Sequence, residues 1–315
     1  MRYGLQTTLR SRASLSGFGV HSNAPVRIVL HPAEANSGIV FLRTGLSGGR
    51  ERLIEANWSK VAMTQLCTVI GDGGEASVST VEHLMAALAG LGIDNALVEI
   101  DGPEVPVMDG SAVDFIRAID EVGIATLSAP RRFLKVLRHV RISHGLGYSE
   151  LRPAARGFKL DVEIDFDSAL IGRQRHVLDL DPAKFRREIA RARTFGFVSD
   201  VKKLWQAGFA LGSSLDNSVA LDDDRILNPE GLRYPDEFVR HKTLDAVGDL
   251  ALAGAPIIGA YASYRGGHKM NVAVLAELFS NRSNYEFVSD APRREGVRAG
   301  SSFAAAAAAF APDVN

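Results

Sequence analysis

The order of apolar segments constrains the fold of this chain most strongly, because a strand-and-helix pattern runs through its first part and then starts again. In each half, short β-rich runs accompany two longer segments whose apolar residues recur at helical spacing. Residues 128–132, which include a proline, have the composition of a linker between the two rounds. We therefore predict an α+β fold of two similar domains, each a sheet with two main helices on one face, packed against each other.

The predicted boundaries are residues 1–129 for the N-terminal α+β domain, 130–290 for the C-terminal α+β domain, and 291–315 for an Ala-rich tail. The apolar patterns predict strands at residues 24–30, 38–42, 96–100, 133–137, 140–143, 158–164 and 257–261. They predict helices at residues 81–91, 111–122, 182–191, 235–252 and 271–279. The alanine run at residues 304–309 carries no chemistry.

Composition narrows the class of protein. Of the 315 residues, 46% are apolar and 23% are charged, which is typical of a globular chain. The net charge of −1 gives no basic field for nucleic acid. Cys67 stands alone, which excludes an intramolecular disulfide and a Cys-rich zinc site. The N-terminus has no signal-peptide core, and no apolar run approaches the roughly 20 residues of a membrane span, so we expect a cytoplasmic protein.

A split set of metal-binding side chains is the strongest chemical signal. On a helix, His241 and Asp245 lie one turn apart on the same face, and Asp249 continues that face. His83 lies near the start of an earlier predicted helix, next to Glu82. Two imidazoles and a carboxylate are a ligand set of catalytic zinc, with one position left open for water. If the segments meet, the chain is a zinc hydrolase.

Each part of this set has an ordinary structural alternative. His241 and Asp245 can form a surface helix pair, and His83 can be a hydrogen-bonded core histidine. Ser79-Thr80-Val81-Glu82 fits a capping box, in which the glutamate bonds to the helix N-terminus instead of acting as a base.

A third segment contains His268 after Gly266 and Gly267. Two glycines allow a sharp turn that can hold an imidazole in a cleft, and imidazole is well matched to proton transfer near neutral pH. The segment therefore predicts either a general acid or an ordinary turn with an exposed histidine.

Several longer motifs, some of which contain these residues, resemble the UDP-3-O-acyl-N-acetylglucosamine deacetylases of lipid A biosynthesis. The matching stretches occur in the order of that family and cover about residues 1–290. They are residues 17–22, 79–88, 92–95, 106–112, 192–197, 228–233, 236–250 and 267–268. Residues 212–217 match more loosely, and the Ala-rich tail departs from the family pattern.

The resemblance implies the fold, the reaction and a role for individual residues. The implied fold has two domains, each a sheet layered with two helices, with the active site between them. The implied reaction is zinc-dependent hydrolysis of the acetamide of the acylated UDP-sugar to UDP-3-O-acyl-glucosamine and acetate, the committed step of lipid A biosynthesis. The implied roles are Zn²⁺ ligation by His83, His241 and Asp245 (ligands that can also hold Fe²⁺), general base for Glu82, general acid for His268, orientation of His268 by Asp249, oxyanion stabilisation by Lys242 and Thr194, and sugar binding by Phe195 and Lys242.

Other expectations concern the rest of the substrate. Seven apolar side chains could line an acyl groove, but we expect most of them to form helix core instead: Phe197, Val198, Val201, Leu204, Phe209, Ala210 and Leu211. Among these we expect Phe197, Phe209 and Ala210 to contact substrate. Arg265 and Lys269 are candidates for phosphate contacts, and His21 for a structural or supporting role. The partner is expected to be the acylated UDP-sugar, bound by a monomer with no integral membrane segment.

Two other functions are compatible with these ligands. A different enzyme class, such as a dehydratase, can use the same metal site, but no second enzyme-sized segment follows residue 290. A non-catalytic sugar-nucleotide or lipid-binding protein can keep the fold, but it has no need of both Glu82 and His268 beside a metal.

Overall fold

The first half of the chain builds a five-stranded sheet that carries two helices. The computed structural model describes residues 4–222 and 225–289. Its elements in this half are β1 (Leu5–Leu9), β2 (Ala13–Phe18), β3 (Pro25–Pro32), β4 (Ile39–Leu46), β5 (Arg50–Glu55), β6 (Val61–Met63), β7 (Val69–Gly71), β8 (Ser77–Val78), α1 (Glu82–Leu91), β9 (Ala96–Ile100), α2 (Val113–Val122) and β10 (Ile124–Pro130). The large sheet has the order β2-β3-β9-β4-β5, with β4 and β9 parallel. β1 pairs with β10, and β6, β7 and β8 form a small sheet.

The second half builds a larger mixed sheet. Its elements are β11 (Arg132–Val136), β12 (Val140–His144), β13 (Gly147–Arg152), β14 (Phe158–Asp165), β15 (Arg173–Asp179), α3 (Pro182–Lys184), β16 (Phe195–Phe197), α4 (Val198–Gln206), β17 (Val219–Asp222), β18 (Arg225–Ile226), α5 (Glu237–Ala251), β19 (Ile257–Tyr264), α6 (His268–Ser280) and β20 (Tyr285–Ser289). The sheet has the order β12-β13-β19-β11-β20, and β14 pairs with both β15 and β19. β19 runs parallel to β11 and β14. β16, β17 and β18 form a separate small sheet.

The two halves repeat one arrangement of elements. In the first half α1 leads into the central strand β9 and then α2, and in the second half α5 leads into β19 and then α6. α1 packs directly against α5, which joins the two halves through one apolar core. Because α1 is buried at every position except Ala89, and α5 at most of its positions, most of the ionisable side chains on the two helices lie inside the protein.

A glycine sets the distance between these two helices. A Cβ atom placed on Gly248 of α5 would lie 1.9 Å from the carbonyl oxygen of Glu82 at the start of α1. Only a residue without a side chain fits so close to another backbone. Gly248 therefore brings the first turn of α1 against the middle of α5.

The α+β class is confirmed, and so are most of the predicted strands and helices. The predicted linker at residues 128–132 is wrong, because β10 continues through Pro130 and β11 begins at Arg132. The helix predicted at 182–191 is a short α-helical turn followed by a π-helical turn over Phe185–Ile189. The last helix begins at His268 instead of residue 271. The division into two domains at residue 129 stays a prediction, and the whole tail from residue 291 on, with its alanine run, lies outside the described residues.

Within residues 4–222 and 225–289, none of the helices has the length and apolar character needed to cross a membrane.

Candidate active site

Three side chains that are far apart in sequence meet where α1 packs on α5. His83 comes from the first turn of α1, and His241 and Asp245 come from successive turns of α5. Their nitrogen and oxygen atoms lie within 4.8 Å of one another, and all three residues are buried. Oδ1 of Asp245 is 3.6 Å from Nε2 of His83 and 3.3 Å from Nε2 of His241. The three donor atoms therefore face one common point.

The electrostatics of this cluster suit a cation. Nδ1 of His241 lies 3.0 Å from the carbonyl oxygen of Ala192, so Nδ1 carries the proton and Nε2 keeps its lone pair. Burial lowers the pKa of His241 to about 3, which keeps its ring neutral. Oδ1 of Asp245 is buried and accepts no hydrogen bond from the described residues. An unpaired buried carboxylate oxygen beside two imidazole nitrogens fits a divalent metal ion.

Lys242 holds the other oxygen of the same carboxylate. Its Nζ donates to Oδ2 of Asp245 at 2.8 Å and lies 5.6 Å from the centre of the Phe195 ring. Burial opposes the charge on Asp245, but His241 and Lys242 outweigh it and hold the pKa of that carboxyl well below its usual range. The side chain of Lys242 is 28% exposed, so this cation is partly open to solvent.

Glu82 does not form the predicted capping box. Helix α1 is capped at Val81 without a side-chain hydrogen bond, and Oε2 of Glu82 instead accepts the backbone N–H of Thr68 at 3.1 Å. Thr80 has a φ of 56°, a strained value for a β-branched residue. Burial raises the pKa of Glu82, although the charges of His268 and His83 act in the opposite direction. The glutamate thus lies in the site, held by a neighbouring loop.

His268 is the first residue of α6 and is held by a carboxylate from α5. Its Nδ1 lies 2.8 Å from Oδ2 of Asp249, a fully buried residue. Burial alone would lower the pKa of His268, but the charges of Asp249 and Glu82 outweigh it and raise that pKa to about 10. The imidazole is therefore protonated at neutral pH, with Nε2–H directed away from Asp249.

The proton-carrying groups approach each other beside the metal-binding cluster. Nε2 of His268 lies 3.7 Å from Oε1 of Glu82, and Glu82 adjoins His83 in the chain. A possible base, a possible acid and a three-donor cation site thus share one buried space. This arrangement can activate water, polarise a carbonyl group and deliver a proton to a leaving group.

Comparison with known proteins identifies the family. Residues 6–280 match the family model described as UDP-3-O-acyl N-acetylglycosamine deacetylase. The chain belongs to this family. It is 50% identical over 284 residues to the UDP-3-O-acyl-N-acetylglucosamine deacetylases of Brucella ovis, Brucella canis and Brucella melitensis biotype 2. Each alignment covers 90% of this chain and 98% of the relative. The resemblance inferred from the motifs is thereby confirmed, and the protein is a deacetylase.

In this deacetylase the segment before and within β16 borders the cation site. The Phe195 ring lies edge-on to the His241 ring, with 6.2 Å between the ring centres, and Ala192 bonds to the same histidine. Thr194 lies between them, and its backbone bonds to Gly110 and Val219. Phe195 therefore contacts the site itself. Thr194 lies near the site because it belongs to the same short segment.

The predicted acyl-groove residues of the deacetylase lie on an arm formed by α4 and the residues that follow it, 198–211. The expectation that most of them are helix core is wrong, since Ala210 is buried but Phe209 is only partly buried and Leu211 is 45% exposed. The Phe209 ring meets His21 edge-on at 5.8 Å, and the Ala210 N–H points at Nδ1 of His21 at 3.4 Å. Phe197, at the end of β16, is partly buried beside this arm.

Two residues of the site were missed by sequence reasoning. Thr68 donates its hydroxyl to Oδ1 of Asp249 at 2.6 Å, and Asn271 donates its amide to Oδ2 of Asp249 at 2.8 Å. Asn271 stands three residues after His268, one turn along α6, and this spacing could have identified it. Thr68 has no comparable local signal, because its partner lies 181 residues away.

Proposed function

We propose that this deacetylase hydrolyses the acetamide of a UDP-3-O-acyl-N-acetylglucosamine, releasing acetate, at a Zn²⁺ site formed by His83, His241 and Asp245. The names of the Brucella relatives support the substrate. The observation that carries the proposal is the meeting of Glu82 and His268, 3.7 Å apart, beside those three donors. Amide hydrolysis needs this combination, because it requires both an activated water and a protonated leaving nitrogen.

The chemistry of the donors favours zinc over other ions. Two imidazoles and one carboxylate form a mixed nitrogen and oxygen set that suits catalytic Zn²⁺ and leaves a position for water or substrate. A divalent ion held there supplies Lewis-acid polarisation and makes water easier to deprotonate at neutral pH. Fe²⁺ can use the same ligands, so metal analysis of the purified protein decides between the two ions.

Glu82 is the proposed general base. Its Oε2 is occupied by the Thr68 N–H, whereas Oε1 lies 3.7 Å from Nε2 of His268, beyond hydrogen-bonding distance. Asp249 is unsuited to this task, because its oxygens already accept bonds from Thr68, His268 and Asn271. The two buried carboxylates thus have different roles, set by their hydrogen bonds. Glu82 takes a proton, and Asp249 orients the imidazole.

His268 is the proposed general acid. A free amide anion is a very poor leaving group, so the nitrogen must receive a proton as the C–N bond breaks. The pKa of about 10 keeps His268 protonated at neutral pH, and its bond to Asp249 aims Nε2 into the site. Proton donation from Nε2 then releases the amino sugar.

Lys242 and Thr194 are the proposed donors to the oxyanion. Lys242 is a partly exposed cation beside Asp245, and a cation next to the proposed metal ligand suits stabilisation of the negative charge that develops on the attacked carbonyl. Thr194 stands next to Phe195, whose ring borders His241. We propose that Phe195 and Lys242 also hold the sugar, and that Phe197, Phe209 and Ala210 hold the acyl chain along the α4 arm. A monomer in the cytoplasm stays a prediction.

The test is acetate release from the acylated UDP-sugar by the wild-type protein and by Glu82→Gln. The variant keeps the size of the side chain but removes the base, so we expect kcat to fall by roughly 10²–10⁴-fold. Metal content, measured in the same samples, should stay at the wild-type level. Wild-type turnover in Glu82→Gln would eliminate the proposed base, and wild-type protein without acetate release would overturn the proposed reaction.

A further inference from the structure

We propose that Thr68 is a positioning residue that aligns the base Glu82 with the Asp249–His268 pair. This inference rests on the proposed function, because it assigns a role within the same reaction. Thr68 is fully buried just before β7, in the first half of the chain, whereas Asp249 lies on α5 in the second half. Thr68 donates hydrogen bonds to two carboxylates from different halves of the chain, Glu82 and Asp249, which have different proposed roles.

The contacts of Thr68 are divided between its backbone and its side chain. Its N–H donates to Oε2 of Glu82 at 3.1 Å, and its carbonyl accepts the N–H of Val81 at 3.3 Å. Its hydroxyl donates to Oδ1 of Asp249 at 2.6 Å. The backbone therefore fixes the start of α1, and the hydroxyl fixes the carboxylate that orients His268.

The surrounding backbone holds Thr68 in this position. Leu66, two residues earlier, has a φ of 68°, and Thr80, which precedes Val81, has a φ of 56°. Such left-handed values in side-chain-bearing residues persist where neighbouring contacts over-determine them. The loop turns at Leu66 so that Thr68 points inward between the two helices.

The hydroxyl has a specific task that a methyl group cannot perform. If the hydroxyl is removed, Oδ1 of Asp249 loses its hydrogen-bond donor while it stays buried, which costs free energy. Asp249 would then be held through Oδ2 by His268 and Asn271, and could rotate with them. The imidazole would lose its fixed direction toward the leaving nitrogen, which lowers the rate of proton delivery without removing a substrate contact.

The first experiment compares Thr68→Val with Thr68→Ser in the full-length, metal-loaded enzyme. Valine keeps the shape and the backbone N–H but removes the hydroxyl, so we expect kcat to fall by roughly 10–100-fold with KM unchanged within about twofold. Serine restores the hydroxyl and should recover most of the turnover. Thr8→Val is the matched control, because Thr8 is also a buried threonine with a hydrogen-bonded hydroxyl, which accepts the Ala33 N–H away from the site.

A double-mutant cycle with Asp249→Asn separates positioning from general destabilisation. If the hydroxyl acts through Asp249, Thr68→Val should lower kcat much less in the Asp249→Asn background than in the wild type. Equal losses in both backgrounds, no rescue by serine, or unchanged kcat in Thr68→Val would overturn the inference. Full activity in His268→Ala would instead refute the proposed acid, so the two failures are distinguishable.

Discussion

Replacing Gly248 by alanine tests whether the close approach of α1 and α5 builds the active site. The new Cβ atom would lie 1.9 Å from the carbonyl oxygen of Glu82, 2.7 Å from its carbonyl carbon and 3.0 Å from its Cα. Non-bonded carbon atoms rest at about 3.5–4.0 Å, so the helices must separate locally by more than about 1 Å. All three contacted atoms belong to the backbone, so no side-chain rotation can relieve the overlap.

The expected effect on activity is larger than the effect on stability. Overpacking costs about 1–3 kcal/mol in the free energy of unfolding, and alanine in place of helical glycine returns up to about 1 kcal/mol. The same displacement moves Glu82 and His83 away from Asp245 and Asp249. A misplacement of about 1 Å can lower the rate by about 10²-fold, and it also weakens a cation site whose ligands come from both helices.

The assay measures acetate release, metal content and thermal unfolding of Gly248→Ala beside Gly90→Ala. Gly90 lies on α1 beyond the site, and an added Cβ would meet the ring of the buried Phe185 at 2.4 Å. Gly90→Ala should therefore lose stability while it keeps its metal and most of its turnover. Wild-type kcat and metal content in Gly248→Ala would refute the argument that this helix contact sets the geometry of the site.

Three further results are expected. In Asp249→Asn the pKa of His268 should fall, because the charge of Asp249 no longer offsets the effect of burial. The general acid must be protonated, so the decline of kcat/KM with rising pH should begin at a lower pH than in the wild type. Phe209→Ala should raise KM by about tenfold for a long-chain substrate and hardly at all for a short-chain analogue, measured by acetate release. Chelation should abolish turnover. It should also lower the free energy of unfolding, measured by thermal unfolding, by about 2.7 kcal/mol relative to the protein with Zn²⁺ at 100 times its Kd, and added Zn²⁺ should reverse both effects.

The cluster of His83, His241 and Asp245 could be predicted in part because each local pattern carries part of the answer. His241 and Asp245 have the spacing of one helical turn, and α5 is a helix over these residues. His83 falls in the first turn of α1, as its apolar pattern predicts. Local patterns cannot show that α1 packs on α5, and the family resemblance supplied that link. Gly248, which permits the contact, has no signal of its own within a helical segment.

Other features could not be predicted, for physical reasons. The start of α6 at His268 was missed because Gly266 and Gly267 favour a turn, yet Gly267 serves as the residue before the helix. Most of the apolar residues of the α4 arm were expected to form helix core. α4 packs against β16 and β17 on one side, so its other apolar side chains stay partly exposed. Periodicity reveals an apolar face but not what covers it.

The buried polar groups make assembly of the site depend on the packing of both halves. Asp249 is fully buried, yet one of its oxygens is satisfied by Thr68 from the first half of the chain. Glu82, from the first half, lies against Gly248 and near His268 from the second. A buried carboxylate without its partner costs free energy, so neither half can keep these groups in place unless the other is packed against it. The same contacts that align Glu82 with His268 therefore also stabilise the joint between the halves, and a loosened joint should disturb catalysis before it unfolds the protein.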